Sequence, residues 1–207
     1  MSGGETASKH VFQDIYITYH ERIRRYLTRL VGESDAEDLT QEVFIKVDGA
    51  LRDFRRESQL STWIYRIATN TALDRLRSPD FSRANKASHS IADYETDIED
   101  KNVWSDMTNP LPDQQLIRKQ MNDCIREVVD GLPDDYRAVL IMSELEGLTN
   151  SEIAEVSGIS LDTAKIRLHR ARKKLREALE TKCNFYHDER NELSCDRKPA
   201  VPIFFRI

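Results

Sequence analysis

The chain has 207 residues, 39% hydrophobic and 32% charged, with only seven glycines and six prolines. That length suits two small domains, and the scarcity of turn-formers excludes an all-β fold rich in tight turns. A formal net charge of -5 excludes a uniformly basic nucleic-acid binder, and no stretch approaches the roughly 20 apolar residues of a membrane span.

Met1 to His10 lacks the apolar core of a secretory signal, so a cytoplasmic location is expected, with Cys124, Cys183 and Cys195 as reduced thiols. From Val11 to Val31, the three-four spacing of Phe12, Ile15, Tyr16, Tyr19, Ile23, Tyr26, Leu27 and Leu30 predicts an amphipathic helix closed by Gly32. Ser34 with Glu37 has capping-box spacing and opens a second helix with the inward stripe Leu39, Val43, Val47 and Leu51. A polar loop over 52–59 leads to a third helix from about Ser61. There Trp63, Ile64, Ile67, Ala68, Thr71, Ala72 and Leu76 face inward, and the helix runs out by Ser78 and Pro79. Residues 10–79 make the first domain.

Residues 80–112 hold no period. They carry the acidic run Asp93, Glu95, Asp97, Glu99 and Asp100 and end in Asn109-Pro110-Leu111-Pro112, the pattern of a flexible acidic linker that Trp104 and Met107 can dock. The second domain, 113–180, opens on the stripe Leu116, Ile117, Met121, Cys124, Ile125, Val128 and Val129, which stops at Gly131-Leu132-Pro133. Its place in that stripe makes Cys124 a packed thiol. Helices follow over 135–145, 149–156 and 160 to about Leu179. Thr149 with Glu152 repeats the capping-box spacing, and Gly158 supplies the tight turn of a helix-turn-helix. The fold class is therefore all-α, two small helical domains with a C-terminal extension over 181–207.

Between Ser160 and Glu177 stand Lys165, Arg167, Arg170, Arg172, Lys173, Lys174 and Arg176 against Asp162 and Glu177, a local net of +5 in an acidic chain. A recognition helix sends its N-terminal turns into the major groove. Ser160, Asp162, Thr163, Lys165 and Ile166 are thus candidates for base edges, and Arg167, His169, Arg170 and Lys173 for the positions beyond. In the third helix Arg66, Asn70, Asp74 and Arg77 share a polar face, and the loop from Phe54 to Leu60 places Arg55, Arg56 and Ser58 just before Trp63, a setting suited to an unstacked base. The second helix exposes Asp35, Asp38, Gln41, Glu42 and Lys46, a mostly acidic face suited to a protein and ill suited to phosphates.

Together these pieces resemble the extracytoplasmic-function (ECF) sigma factors of bacterial RNA polymerase from about His10 to Leu179. The segment Asp35-Ala-Glu-Asp-Leu-Thr-Gln-Glu-Val-Phe44 resembles the family's region 2.2, which implies that Asp35, Asp38, Gln41, Glu42 and Phe44 meet the β′ clamp helices. Ser61-Thr-Trp-Ile-Tyr-Arg-Ile-Ala-Thr-Asn70 with Ala72, Asp74 and Arg77 resembles regions 2.3 and 2.4, which implies minus-10 opening by Arg55, Ser58, Trp63, Arg66, Asn70, Asp74 and Arg77. Leu132-Pro133, Arg137, Glu152-Ile-Ala154 and Thr163 to Arg172 resemble region 4, which implies minus-35 recognition and a place at the β flap. The implied partners are core RNA polymerase, promoter DNA and, as is common in the family, an anti-sigma factor.

Residues 181–207 depart from the family pattern. Cys183, His187 and Cys195 invite zinc or another metal, incomplete unless Asp188, Glu189, Glu192, Asp196 or another chain contributes, or a reversible thiol pair; the favoured reading is a docking tail ending in the apolar Val201, Ile203, Phe204 and Phe205. The rival reading is a conventional helix-turn-helix regulator whose first domain senses a ligand or dimerises. An enzyme finds no support in motifs: there is no Gly-rich phosphate loop, and the histidines are scattered.

Overall fold

The computed structural model describes residues 3–55, 57–79, 112–187, 191 and 193–198. Among these residues it is all-α apart from one hairpin. The helices are α1 (Gly3–Val31), α2 (Glu33–Ala50), α3 (Leu60–Arg77), α4 (Pro112–Asp130), α5 (Asp134–Glu144), α6 (Asn150–Ser157) and α7 (Leu161–Lys182). A 3-10 turn at Leu51–Asp53 follows α2, and β1 (Cys183–His187) pairs with β2 (Leu193–Arg197). Most of the expected linker with its acidic run, Trp104 and Met107 lies outside the described residues. So do Asp188, Glu189, Glu192 and the apolar end from Val201 to Phe205. The chain forms two compact units, one from residues up to 86 together with 132–173, the other from 87–131 together with 174–207.

In the first unit, Gly32 at φ 96 ends α1 and serves at once as N-cap of α2. Only glycine takes that backbone conformation at little cost. The helix therefore starts two residues earlier than expected, and the capping box expected of Ser34 and Glu37 does not form. Ser34 lies inside the first turn, where its hydroxyl donates to Asp35 at 3.1 Å. Glu33 and Asp35 supply instead the negative charge that a helix N-terminus favours.

Ile15, Ile23, Tyr26, Leu27 and Leu30 of α1, Leu39, Val43 and Val47 of α2, and Ile64, Ala68, Ala72 and Leu76 of α3 form the buried core of the bundle. Tyr16 is exposed, and Trp63 and Ile67 are only half-buried. Polar groups are buried in this core as well, Tyr26 and Thr69 among them. The Thr69 hydroxyl donates to the Tyr65 carbonyl at 2.7 Å, so its single proton is used and the Tyr26 hydroxyl must donate to it across 2.9 Å. Burial pushes the Tyr26 phenol well above its ordinary range.

The same unit holds the helix-turn-helix. Residues 137–142 of α5 are buried without a break, and the Thr149/Glu152 capping box forms with both reciprocal bonds. Gly158 turns the chain in the left-handed region at φ 64, and the Ser160 hydroxyl then caps α7 by accepting from the Thr163 backbone N–H at 3.2 Å. Ile153, Ala154, Val156, Ala164, Leu168 and Ala171 are buried around that turn, the stripe that exposes the opposite face of α7.

In the second unit α4 packs against β2, with Cys124, Val128, Cys183 and Ser194 buried. The hairpin register sets Cys183 opposite Arg197, Phe185 opposite Cys195 and His187 opposite Leu193. Glu127 accepts from Lys182 at 2.7 Å and from Arg197 at 2.8 Å, and the Lys182 hydrogen bond, ahead of the neighbouring cations, holds its carboxyl below the usual range.

Candidate polymerase and nucleic-acid interfaces

Ser160, Asp162, Thr163, Lys165 and Ile166 are all exposed on the first turns of α7, and His169, Arg170 and Lys173 continue along it. Ile166 is an apolar side chain 52% exposed on a polar face, suited to a thymine methyl in the major groove. Several of the basic residues are engaged within the protein, Lys165 among them at 3.9 Å from Asp162. Half-buried Arg167 lies 3.6 Å from Asp135, and Arg172 donates to Glu144 at 2.9 Å.

On α3, Arg66, Asn70, Asp74 and Arg77 share an exposed side. The Trp63 ring rests 4.9 Å from Phe54, so the aromatic pair stands at the mouth of the loop, with Arg55 exposed and Ser58 half-buried; Arg56 lies outside the described residues. Arg66 and Arg77 are not turned only to solvent. Arg66 donates through Nε to the Glu155 carbonyl at 2.9 Å, and Arg77 lies 3.4 Å from Asp135.

On α2, Asp38, Gln41 and Glu42 are exposed, with Glu42 bound to Lys46 at 2.7 Å. Asp35 is held by Arg75 Nε at 2.8 Å, a bond from α3 that fixes the start of α2. Phe44 is placed differently from these four: it is 3% exposed, edge-on to Tyr16 at 4.9 Å and 5.8 Å from His20. It fixes α2 against α1.

Sequence reasoning missed Glu146, taken only as part of a break between helices. Its side chain is 5% exposed. It accepts from Arg29 at 3.0 Å and from the Tyr65 hydroxyl, while Arg22 reaches its carboxylate at 3.5 Å and its backbone carbonyl at 3.1 Å. Burial first, and then the charge of Glu146, push the Tyr65 phenol far above its ordinary range, so it stays a donor. The off-stripe tyrosine in α3 was the available signal; its acidic partner 81 residues away was not.

The metal trio of Cys183, His187 and Cys195 is not assembled. His187 is exposed at the far end of β1, roughly 13 Å from Cys183 at strand rise. Cys183 instead neighbours Cys124 and Cys195. Burial, then Cys183, push the Cys124 thiol up to about 11, and burial also raises Cys195. Cys124 is thus a packed, protonated thiol. Among the described residues no group of three or more His, Cys, Asp or Glu can hold a metal ion, and no helix is long and apolar enough to cross a membrane.

Comparison with known proteins agrees with this geometry. The model of sigma-70 region 2 matches residues 15–80, and that of sigma-70 region 4 matches residues 122–175. These are the two modules of a sigma factor. The ECF RNA polymerase sigma factor SigW of Bacillus subtilis is 31% identical over 173 residues, 81% of this chain and 88% of that protein. The ECF RNA polymerase sigma-E factor of Escherichia coli K12 is 29% identical, over 86% of this chain and 89% of its own. The chain belongs to the ECF sigma factors, and its function is promoter-directed transcription initiation. The rival regulator reading is not favoured, because the first bundle is itself a sigma-70 module. Among solved structures, RpoE with the anti-sigma factor NepR from Bartonella quintana shares the fold at TM-score 0.56 and 21% identity, covering 82% of this chain and 96% of that one. CnrH with the cytosolic domain of CnrY does so at TM-score 0.55 and 20% identity, covering 87% and 92%.

Proposed function

We propose that the two sigma modules divide one promoter between them. Residues 10–79 dock on the β′ clamp helices of core RNA polymerase through Asp35, Asp38, Gln41 and Glu42, with Phe44 setting the angle of α2. They open the minus-10 element with Arg55, Ser58, Trp63, Arg66, Asn70, Asp74 and Arg77. Residues 113–180 meet the β flap and read minus-35, with Ser160, Asp162, Thr163, Lys165 and Ile166 at base edges and Arg167, His169, Arg170 and Lys173 at the backbone and beyond. Residues 80–112 link the modules, and 181–207 regulate them. The protein acts in the cytoplasm without chemistry of its own, and an anti-sigma factor is its inhibitory partner.

The observation that carries this reading is the exposed first turn of α7, whose polar and apolar side chains are held outward by the capping of Ser160 and the buried stripe behind it. A base-reading contact discriminates by about 1–3 kcal/mol, whereas a phosphate contact shifts affinity for all sequences alike. Run-off transcription with core polymerase separates the two. Lys165→Ala is expected to transcribe matched and minus-35-altered templates nearly equally, and Asn70→Ala to do the same for minus-10. Full discrimination retained by both variants would remove the assignment.

A further inference from the structure

We propose that the free chain is held closed by a lock centred on Glu146, which ties the α1–α3 bundle to the helix-turn-helix and must open before a promoter is bound. The inference rests on the reading above, since it concerns the reach of the same two DNA-binding faces.

The lock is built from both modules. Glu146 follows α5, and Arg22, Arg29 and Tyr65 belong to α1 and α3; the Arg22 guanidinium also lies 5.4 Å from the centre of the Tyr65 ring. At 5% exposure, Glu146 has exchanged water for these donors. Hydrogen bonds to a charged group are stronger than neutral ones, and a buried acid stripped of its donors is costly, so the contact favours staying whole or opening completely. Two further contacts act in the same direction. Arg66 is bonded to the Glu155 carbonyl and Arg77 is paired with Asp135, which turns two cations of the proposed minus-10 face toward α5 and α6.

Geometry then sets the closed form against promoter binding. The two elements are centred about 25 base pairs apart, about 85 Å at 3.4 Å per base pair. Each reading face lies on a helix of only about 30 Å, and here those helices belong to one packed unit. A packed unit of such helices cannot touch both elements at once. The closed chain therefore lowers its own apparent affinity by the fraction of time it spends closed.

The test uses the full chain. Small-angle scattering compares the radius of gyration of the free wild type with that of variants in which the lock is broken. Glu146→Lys, which sets a third cation beside Arg22 and Arg29, is expected to raise the radius of gyration by several ångströms with the helical circular-dichroism signal retained. Adding Arg29→Glu to that variant is expected to restore part of the compaction. Binding of core polymerase by Glu146→Lys should tighten about tenfold. Should Glu146→Lys lose helicity, Tyr65→Phe with Arg29→Gln removes two donors and takes its place in the same measurement. Variants with the same radius of gyration as wild type would overturn the lock. Scattering requires neither polymerase nor DNA. A chain that opens as expected yet binds no polymerase would instead contradict the sigma-factor division of labour.

Discussion

At the scale of single residues, much of the functional geometry depends on polar groups that satisfy one another. Thr149 and Glu152 hold the start of α6, the helix that supports the recognition helix across Gly158, so a fault there reaches the DNA-reading face indirectly. Thr149→Ala is expected to cost about 1 kcal/mol in urea denaturation and to weaken minus-35 recognition without touching a base contact. The pH dependence follows from the same pair. The Thr149 backbone N–H, then its hydroxyl, hold the Glu152 carboxyl below its ordinary value of 4.5, so the folded state binds its proton less readily than the unfolded chain. Its contribution is complete above that value and is lost as pH falls through the lowered folded one. Stability of Glu152→Gln measured against pH should therefore show a shallower acid slope than wild type; equal slopes would remove the assignment.

At the scale of elements, local signals translated well and long-range ones did not. The Thr149/Glu152 cap, the turn at Gly158 and the apolar stripes of α1 and α2 were legible because each depends on neighbours within a few residues. The Ser34 cap failed for a local reason, the positive φ of Gly32, which started α2 early. Tyr65 and Glu146 were illegible as a pair because their burial depends on a contact between segments that the sequence pattern treats separately. The hairpin was missed because two strands of five residues leave too short a pattern, although Phe185 and Tyr186 favour strand and Asn191 tolerates the φ of 61 in the turn. Of the expected functional residues, the exposed faces of α2, α3 and α7 were readable from periodicity, whereas the burial of Phe44 and the pairing of Arg167 and Arg172 were not. Gly158 offers a clean test of an element boundary: a methyl group there meets nothing within 4 Å, so the cost of Gly158→Ala is conformational alone. Thermal or urea unfolding should register about 1 kcal/mol, and no change would mean that the turn relaxes out of the left-handed region.

At the scale of the whole molecule, a chain of net charge -5 concentrates positive charge on one helix and leaves an acidic face on another. That contrast suits a subunit which must approach DNA on one side and protein on the other, and which gains little from binding random DNA by itself. Closure through Glu146 adds to the same restraint, because the unassisted chain lacks the reach for both promoter elements. Reconstitution with core RNA polymerase on a template carrying matched minus-10 and minus-35 elements tests the account most directly. The account predicts a discrete run-off transcript that appears only when this chain is added and disappears when either element is altered. No transcript from the matched template, or tight and specific binding of that promoter by the chain without polymerase, would contradict it.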